Sequence, residues 1–409
     1  MKCRFCKTEL KHVFIDLVAS PPSNSFLTEQ QLNEPEVYYP LKLYVCHNCY
    51  LVQVDEYKKS DDIFNSDYAY FSSYSKTWVE HARQYVEMII LKLNLDQKSL
   101  VIEIASNDGY LLQHFKAKNI PCLGIEPTKN TAEVARKKGI ETVTEFFGEK
   151  LARNLVAQGK TADLIIGNNV FAHVPDINDF VSGLKVVLSN DGVITLEFPH
   201  LLCLVSENQF DTIYHEHFSY LSFHTVQRIF KEHGLAIFDV EELSTHGGSL
   251  RVYASHDKNK MRHIQQGINV LLEKEKMAGM MGMDFYVNFQ YKADSVKYGL
   301  LDFLLLQKKA GKKIVAYGAA AKGNTLLNYC GIKKGLIEFV VDASPHKQGK
   351  FLPGSHIPIL SPEALTEQKP NYVMILPWNI KDEVMQQQSG IQEWGGKFFV
   401  AVPKLEVLE

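Results

Sequence analysis

The sequence predicts an α/β protein: a doubly wound sheet in the middle of the chain, a metal-stapled segment before it, and a second, Rossmann-like α/β unit after it. Three observations carry this. Between about residues 76 and 256, short apolar strands alternate with helical segments, as in a parallel sheet with crossover helices. Two Cys-x-x-Cys pairs fall close together near the N-terminus. Near residue 314 an apolar strand runs into a small-residue turn and a helix, which restarts the alternation.

The elements follow in order. Residues 1–75 are polar, with Pro21, Pro22, Pro35 and Pro40; short strands and loops with little core of their own need a staple. In 76–256, a helical pattern covers 78–93. The apolar run 100–105 is a strand ending in Ser106-Asn107-Asp108-Gly109. A helix over 110–118, a strand over 122–126 and a helix over 128–138 closed by Gly139 come next. Strands at 163–167 and 193–198 precede a helix over 225–233 closed by Gly234. Strands 235–240 and 249–254 have no helix between them, so they add an antiparallel edge. In 257–409, a long helical region over 261–309 leads to strands at 314–317, 337–341, 372–376 and 398–402.

Composition narrows the function. The chain of 409 residues is 45% hydrophobic and 22% charged, which excludes disordered, collagen-like and small disulfide-stapled classes. Lys and Arg number 44 against 47 Asp and Glu, a net charge of −3. Such a chain has no global basic field to hold nucleic acid. No segment reaches the ~18–20 apolar residues of a membrane helix, and the opening MKCRFCKTELKHVF has no signal-peptide core. A soluble, cytoplasmic protein with no membrane partner is the expectation.

Cys3-x-x-Cys6 and Cys46-x-x-Cys49 offer four soft thiolates from two knuckles. In a reducing compartment that pattern reads as a closed, structural zinc site rather than disulfides.

The turn after the 100–105 strand is small and polar, and open α/β sheets bind ligands at the carboxyl ends of their strands. Glu103, Ala105, Ser106, Asn107 and Gly109 lie on it. Glu126, followed by Pro127, closes the next strand, where a carboxylate can accept both hydroxyls of a ribose. Asn168 and Asn169 follow a third strand, where an amide can hold an amino-acid moiety, and Phe146 and Phe147 can flank an adenine. A dinucleotide pyrophosphate favours G-x-G-x-x-G, but only Gly109 is present. The set therefore favours S-adenosylmethionine, which carries ribose and adenine but no phosphate.

The segment Tyr214-His215-Glu216-His217-Phe218-Ser219-Tyr220 gathers two imidazoles, a carboxylate and two phenols. A neutral imidazole is a suitable base, and a carboxylate can orient it. His215 and His217 also have metal-ligand spacing on a strand, though not the His-Glu-x-x-His of zinc hydrolases. His173 lies on the loop after 163–167, and residues 68–75 form a second hydroxyl-rich run with Tyr68, Tyr70, Phe71, Ser72 and Ser73. Near the C-terminus, Tyr317, Lys322, Asn324 and His346 flank a turn with Gly318 and Gly323 that opens a helix; such an N-terminus attracts phosphate.

With these motifs in hand, the chain resembles, over nearly its whole length, the zinc-containing sugar C-methyltransferases, which use S-adenosylmethionine to methylate carbon on nucleotide-linked keto-deoxysugars. The resemblance implies a class I methyltransferase fold in the middle domain and a nucleotide-sugar-binding C-terminal domain. It implies His217 as general base, with Tyr68, His173, Tyr214 and Glu216 around the sugar. Methylation at C-3, beside a 4-ketone that acidifies the proton there, is the expected reaction. Competing readings are a nicotinamide-dependent oxidoreductase using the 318–323 turn, a zinc-ribbon binding module, and a methyltransferase of the same fold acting on oxygen or nitrogen.

Overall fold

The computed structural model describes residues 1–57, 71–259 and 261–408; Tyr68 and Tyr70 lie outside the described residues. The strands are β1 (His12–Ser20), β2 (Tyr39–Val45), β3 (Val52–Val54), β4 (Val101–Ile104), β5 (Cys122–Ile125), β6 (Glu141–Val143), β7 (Ala162–Asn168), β8 (Leu188–Pro199), β9 (Ser219–Tyr220), β10 (Leu235–Leu243), β11 (Ser249–His256), β12 (Ile314–Tyr317), β13 (Val340–Val341), β14 (Ile359–Leu360), β15 (Tyr372–Ile375), β16 (Lys397–Val400) and β17 (Glu406–Leu408). They fall into two compact units. The first is Met1–Leu10, Cys46–Leu201 and Phe218–Met281; the second is Lys11–Val45, Leu202–His217 and Gly282–Glu409.

The first unit is built on a seven-stranded sheet in the order β10-β11-β8-β7-β4-β5-β6. β4 through β8 run parallel, while β11 is antiparallel to both β8 and β10. Every residue of β4 is buried, as a parallel strand covered on both faces requires. The helix Lys76–Leu93 shows why the chain closes. Ser75 caps it by accepting from Trp78 N, Asn94 ends it at φ 54°, and Ala82, Tyr85, Val86 and Ile89 form its buried stripe. That stripe joins Phe115, Leu164 and Tyr253 in one core cluster, and each large apolar side chain so buried contributes about 1.5–3 kcal/mol. The two glycine stops expected at Gly139 and Gly234 take φ of 73° and 68°. β6 is not visible in sequence. It is three residues long with one buried position, too short for a periodic signal.

The second unit carries a six-stranded sheet, β14-β13-β12-β15-β16-β17, parallel except for β17. This is the Rossmann-like module. The hairpin β1–β2 belongs to this unit, and Phe14 of β1 stacks on Phe289 at 4.9 Å. The helical region expected over 261–309 is three helices, Gln266–Met277, Asp284–Val287 and Phe289–Lys309. Gly279, at φ 88°, ends the first.

Candidate functional site

The metal centre comes first in the chain. The four sulfur atoms of Cys3, Cys6, Cys46 and Cys49 lie within 4.8 Å of one another. The Cys3–Cys49, Cys6–Cys46 and Cys6–Cys49 separations are each 3.5 Å. A tetrahedron of sulfurs about 2.3 Å from zinc has edges of about 3.8 Å, so the donor set fits. Each knuckle is closed by a backbone bond, Lys7 N to Cys3 O at 3.0 Å and Tyr50 N to Cys46 O at 2.8 Å. Lys7 and Tyr50 accept φ near 60° to make those turns. Gln53 Nε2 donates to Cys3 Sγ, and hydrogen bonds from Cys3 and Cys49 lower the pKa of the Cys46 thiol. Among the described residues this is the one group of three or more His, Cys, Asp or Glu side chains placed to hold a metal; His215 and His217 form no such group. The knuckles are tied into their unit. Arg4 donates to Pro175 O and Val54 O, Thr225 Oγ1 to Cys49 O, and Arg228 to Asn48 O.

The second feature lies at the carboxyl ends of β4, β5 and β7. The turn after β4 takes positive φ at Ala105, Asn107 and Gly109, of 56°, 50° and 75°. A Cβ on Gly109 would lie 2.4 Å from Ile140 Cδ1, so glycine is demanded there twice, by backbone angle and by packing. Glu126 accepts from Asn107 N and Thr128 N, each at 2.8 Å. Ser72 N donates to Asn107 Oδ1, and Lys138 bonds Ser73 Oγ while facing Asp108 at 3.5 Å. Phe71, beside them, contacts Tyr74.

Several polar atoms here are buried without a partner: Glu103 Oε2, Ser106 Oγ, Asp108 Oδ1, both amide atoms of Asn168, and Asn169 Oδ1. Buried polar groups are normally satisfied, so this row of unpartnered atoms at the strand tips is a surface that can receive a polar ligand. Burial first, then repulsion from Asp108 and Glu126, lifts the Glu103 carboxyl well above its usual range. A ligand with hydroxyls and positive charge relieves all of these at once, and S-adenosylmethionine has both. Of the aromatic pair, Phe146 is exposed, while Phe147 packs edge-on against Phe180 at 5.4 Å. Pro127 is half-buried behind Glu126. His173 sits in the short turn Phe171–His173 after β7, its N–H bonded to Val170 O.

The third feature belongs to the second unit. In the Tyr214–His217 segment, His217 N donates to Tyr214 O at 3.0 Å, closing a turn that brings the two rings to 4.1 Å. His217 Nδ1 lies 3.1 Å from Thr212 O. A carbonyl only accepts, so Nδ1 carries the proton and Nε2 is the basic nitrogen. Both oxygens of Glu216 accept from Asn24 Nδ2, at 2.8 and 3.1 Å. His215 Nε2 reaches Tyr39 O and Pro40 O at 3.3 Å, a packing role. Trp378 Nε1 donates to Asp211 Oδ2 and Thr325 Oγ1 to Ile213 O, both at 2.7 Å, which pins the segment on its N-terminal side.

Further along the same unit, Tyr317 is buried at the end of β12. Lys322 Nζ donates to Asn379 Oδ1 over the Trp378 ring, Asn324 Nδ2 to Ser23 O, and His346 is exposed. The turn glycines serve packing. A Cβ on Gly318 would lie 2.5 Å from Pro377, and one on Gly323 2.8 Å from Leu376. Asp342 accepts from Ala319 N and Ser344 N.

Residues that sequence reasoning missed include Thr212 and Asn24, which bond His217 and Glu216, and a charged group beside β7. In that group Glu197 accepts from His81 and Arg251, each at 3.0 Å. The available signal was a Glu inside the apolar run Val-Ile-Thr-Leu-Glu-Phe-Pro, since a charge on a buried strand needs partners.

A sheet with one antiparallel strand inserted before its edge, orphaned polar atoms at the tips of its parallel strands, and a cysteine centre define an S-adenosylmethionine-dependent methyltransferase with a zinc-binding domain. Residues 3–64 match a zinc binding domain family, 78–240 a methyltransferase domain family and 244–403 the C-methyltransferase C-terminal domain family. The chain is 31% identical over 407 residues to the C-methyltransferase NovU of Streptomyces niveus, covering 100% of this chain and 96% of that protein. It belongs to the zinc-containing sugar C-methyltransferase family. Among solved structures, the PH0226 protein of Pyrococcus horikoshii OT3 is similar over 46% of this chain and 95% of its own, at 14% identity and a TM-score of 0.38. Magnesium protoporphyrin IX methyltransferase of Synechocystis PCC 6803, solved with bound SAH, is similar over 44% and 82%, at 16% identity and 0.35.

Proposed function

We propose that this C-methyltransferase acts on a nucleotide-linked 4-keto-deoxysugar, at C-3, with His217 as general base. The observation that carries the reading is the His217–Thr212 bond, which fixes the tautomer with its basic lone pair on Nε2. Methylation of oxygen or nitrogen starts from a lone pair, whereas methylation of carbon needs a proton taken from C–H first. S-adenosylmethionine supplies, when bound, the methyl group as an electrophile.

A 4-ketone acidifies the C-3 proton, yet its pKa stays far above that of imidazole, so the enolate oxygen must be stabilised as the proton leaves. Tyr214, on the same turn as His217, donates to that oxygen, and Tyr68 and His173 are proposed for the same task. One such donor is worth about 3–4 kcal/mol in the barrier. Glu216, held by Asn24, places negative charge one residue from the imidazole and favours its protonated form after transfer. In the crevice at β4, β5 and β7, we assign Glu126 to the ribose, Ser106, Asn107 and Glu103 to the turn beneath it, Asn168 and Asn169 to the amino-acid end, and Phe146 and Phe147 to the adenine side. Tyr70–Ser73, Tyr317, Lys322, Asn324 and His346 are assigned to the nucleotide-sugar.

The test is mass spectrometry of reactions with a panel of nucleotide-linked 4-keto sugars and labelled methyl donor. A single methyl on carbon C-3 is expected. In deuterated water, exchange of the C-3 proton is expected with native protein and not with His217→Asn. A methyl found on oxygen, or exchange undiminished in the variant, overturns the reading.

A further inference from the structure

We propose that His246 is a positioning residue for the cofactor: it sets the amide of Asn169 so that Oδ1 accepts a hydrogen bond from the α-ammonium of the methyl donor. Asn169 Nδ2 lies 2.8 Å from His246 Nε2. An amide nitrogen only donates, so the imidazole accepts and carries its proton on Nδ1. With Nδ2 committed, Oδ1 is left buried and unpartnered, immediately past Asn168 at the tip of β7. An ammonium brings three donors and no acceptor, and suits that oxygen; a carboxylate, which only accepts, does not.

His246 is held for this task. It takes φ 53° in the turn between β10 and β11, and the Trp78 ring packs on it at 5.0 Å. Its neighbour Thr245 donates to Glu197 Oε1 at 2.9 Å. Glu197 is fully buried, pairs in register with Asn168, and receives His81 and Arg251 on its other oxygen. Burial works against its charge, but the hydrogen bond from His81 and the Arg251 guanidinium outweigh it and keep the carboxyl below its ordinary value. Trp78 also stacks on His81, at 5.0 Å. One carboxylate thus fixes the turn that carries His246 and the histidine against which Trp78 rests, and both converge on the orientation of a single amide.

The inference rests on the crevice being the cofactor site, and calorimetry on the full, zinc-loaded chain separates the two. S-adenosylhomocysteine carries the amino-acid end; 5′-methylthioadenosine lacks it. His246→Phe is expected to weaken S-adenosylhomocysteine about tenfold and leave methylthioadenosine within about twofold. His246→Gln, whose amide oxygen can accept from Asn169, is expected to restore binding. Asn169→Leu, which removes the acceptor itself, is expected to weaken S-adenosylhomocysteine selectively in the same way, and covers the case in which the Phe variant does not fold. Equal loss of both ligands, or S-adenosylhomocysteine binding undiminished, in either variant overturns the inference alone. Failure of the native chain to bind either ligand overturns the cofactor site itself.

Discussion

The Nδ1 atom of His217 sits 3.1 Å from the carbonyl oxygen of Thr212, five residues earlier in the chain. The tautomer of the proposed base is thus fixed by its own backbone, and the segment holding that backbone is pinned by Trp378 and Thr325. Replacing His217 by Asn is expected to lower methyl transfer by about 10²–10⁴-fold while S-adenosylhomocysteine affinity stays unchanged. Single-turnover assays beside calorimetry check both halves.

Asn24 provides a second, separable test. Its amide grips both oxygens of Glu216, and hydrogen bonds to charged groups contribute about 1.5–3 kcal/mol. Asn24→Leu is expected to reduce kcat about tenfold or more, with Asn24→Gln partly restoring it. An unchanged kcat in the Leu variant would remove Glu216 from the machinery.

Cofactor binding is expected to release a proton. Glu103 is lifted well above the usual carboxylate range by burial and by Asp108 and Glu126, so near neutral pH the empty crevice holds it more protonated than a solvated Glu. A cationic ligand favours the ionised form, so affinity rises with pH until the carboxyl is ionised in the empty site too. Calorimetry in buffers of different ionisation enthalpy should show the release, and Glu103→Gln should abolish it.

Stability is expected to carry a slope from Asp211. Burial raises this carboxyl to about 6, against the opposing pull of Lys322 and the bond from Trp378. The unfolded group sits near 4, so between those values the folded chain binds the proton more tightly. Its contribution is therefore full below about pH 4, is lost as pH rises to about 6, and is flat above that, about 3 kcal/mol in all. Asp211→Asn, which can still accept from Trp378, should remove that slope in urea titrations across pH 4–7.

Metal removal is expected to act beyond the cysteines. Arg4 bonds Pro175 O, and Asn178 Nδ2 bonds Arg4 O and Phe5 O. Chelation should raise amide exchange at residues 1–10 and 46–54, and also at 175–178 and 225–228, while protection of β4 and β7 persists. Loss of protection confined to the knuckles would contradict this coupling.

Local signals were legible wherever one short stretch carries the whole cause. Four thiols, a strand ending in a small polar turn, and glycine stops at Gly139 and Gly234 each declare themselves within a few residues. What was hidden depends on partners far away in sequence. Glu216 suggests a partner in the adjacent His217, but nothing local reveals that its carboxylate also accepts from Asn24, 192 positions upstream. Gly318 and Gly323 read as a phosphate-type turn, and sequence alone hides that Pro377 and Leu376 also leave no room for a Cβ there. His246 shows nothing in sequence that ties it to Asn169, because the β7–β8 and β8–β11 registers together bring the two ends into contact.

The interleaving of the two units along the chain has a consequence for synthesis. Cys3 and Cys6 leave the ribosome well before Cys46 and Cys49 can complete their tetrahedron, and Thr225 and Arg228, which clasp the second knuckle, emerge far later still. The first unit cannot finish until Met281 is made, and by then the chain has already begun the second unit twice. The four thiols can meet once the first 49 residues are out, but the clasp that Thr225 and Arg228 place on the second knuckle waits for more than half of the chain.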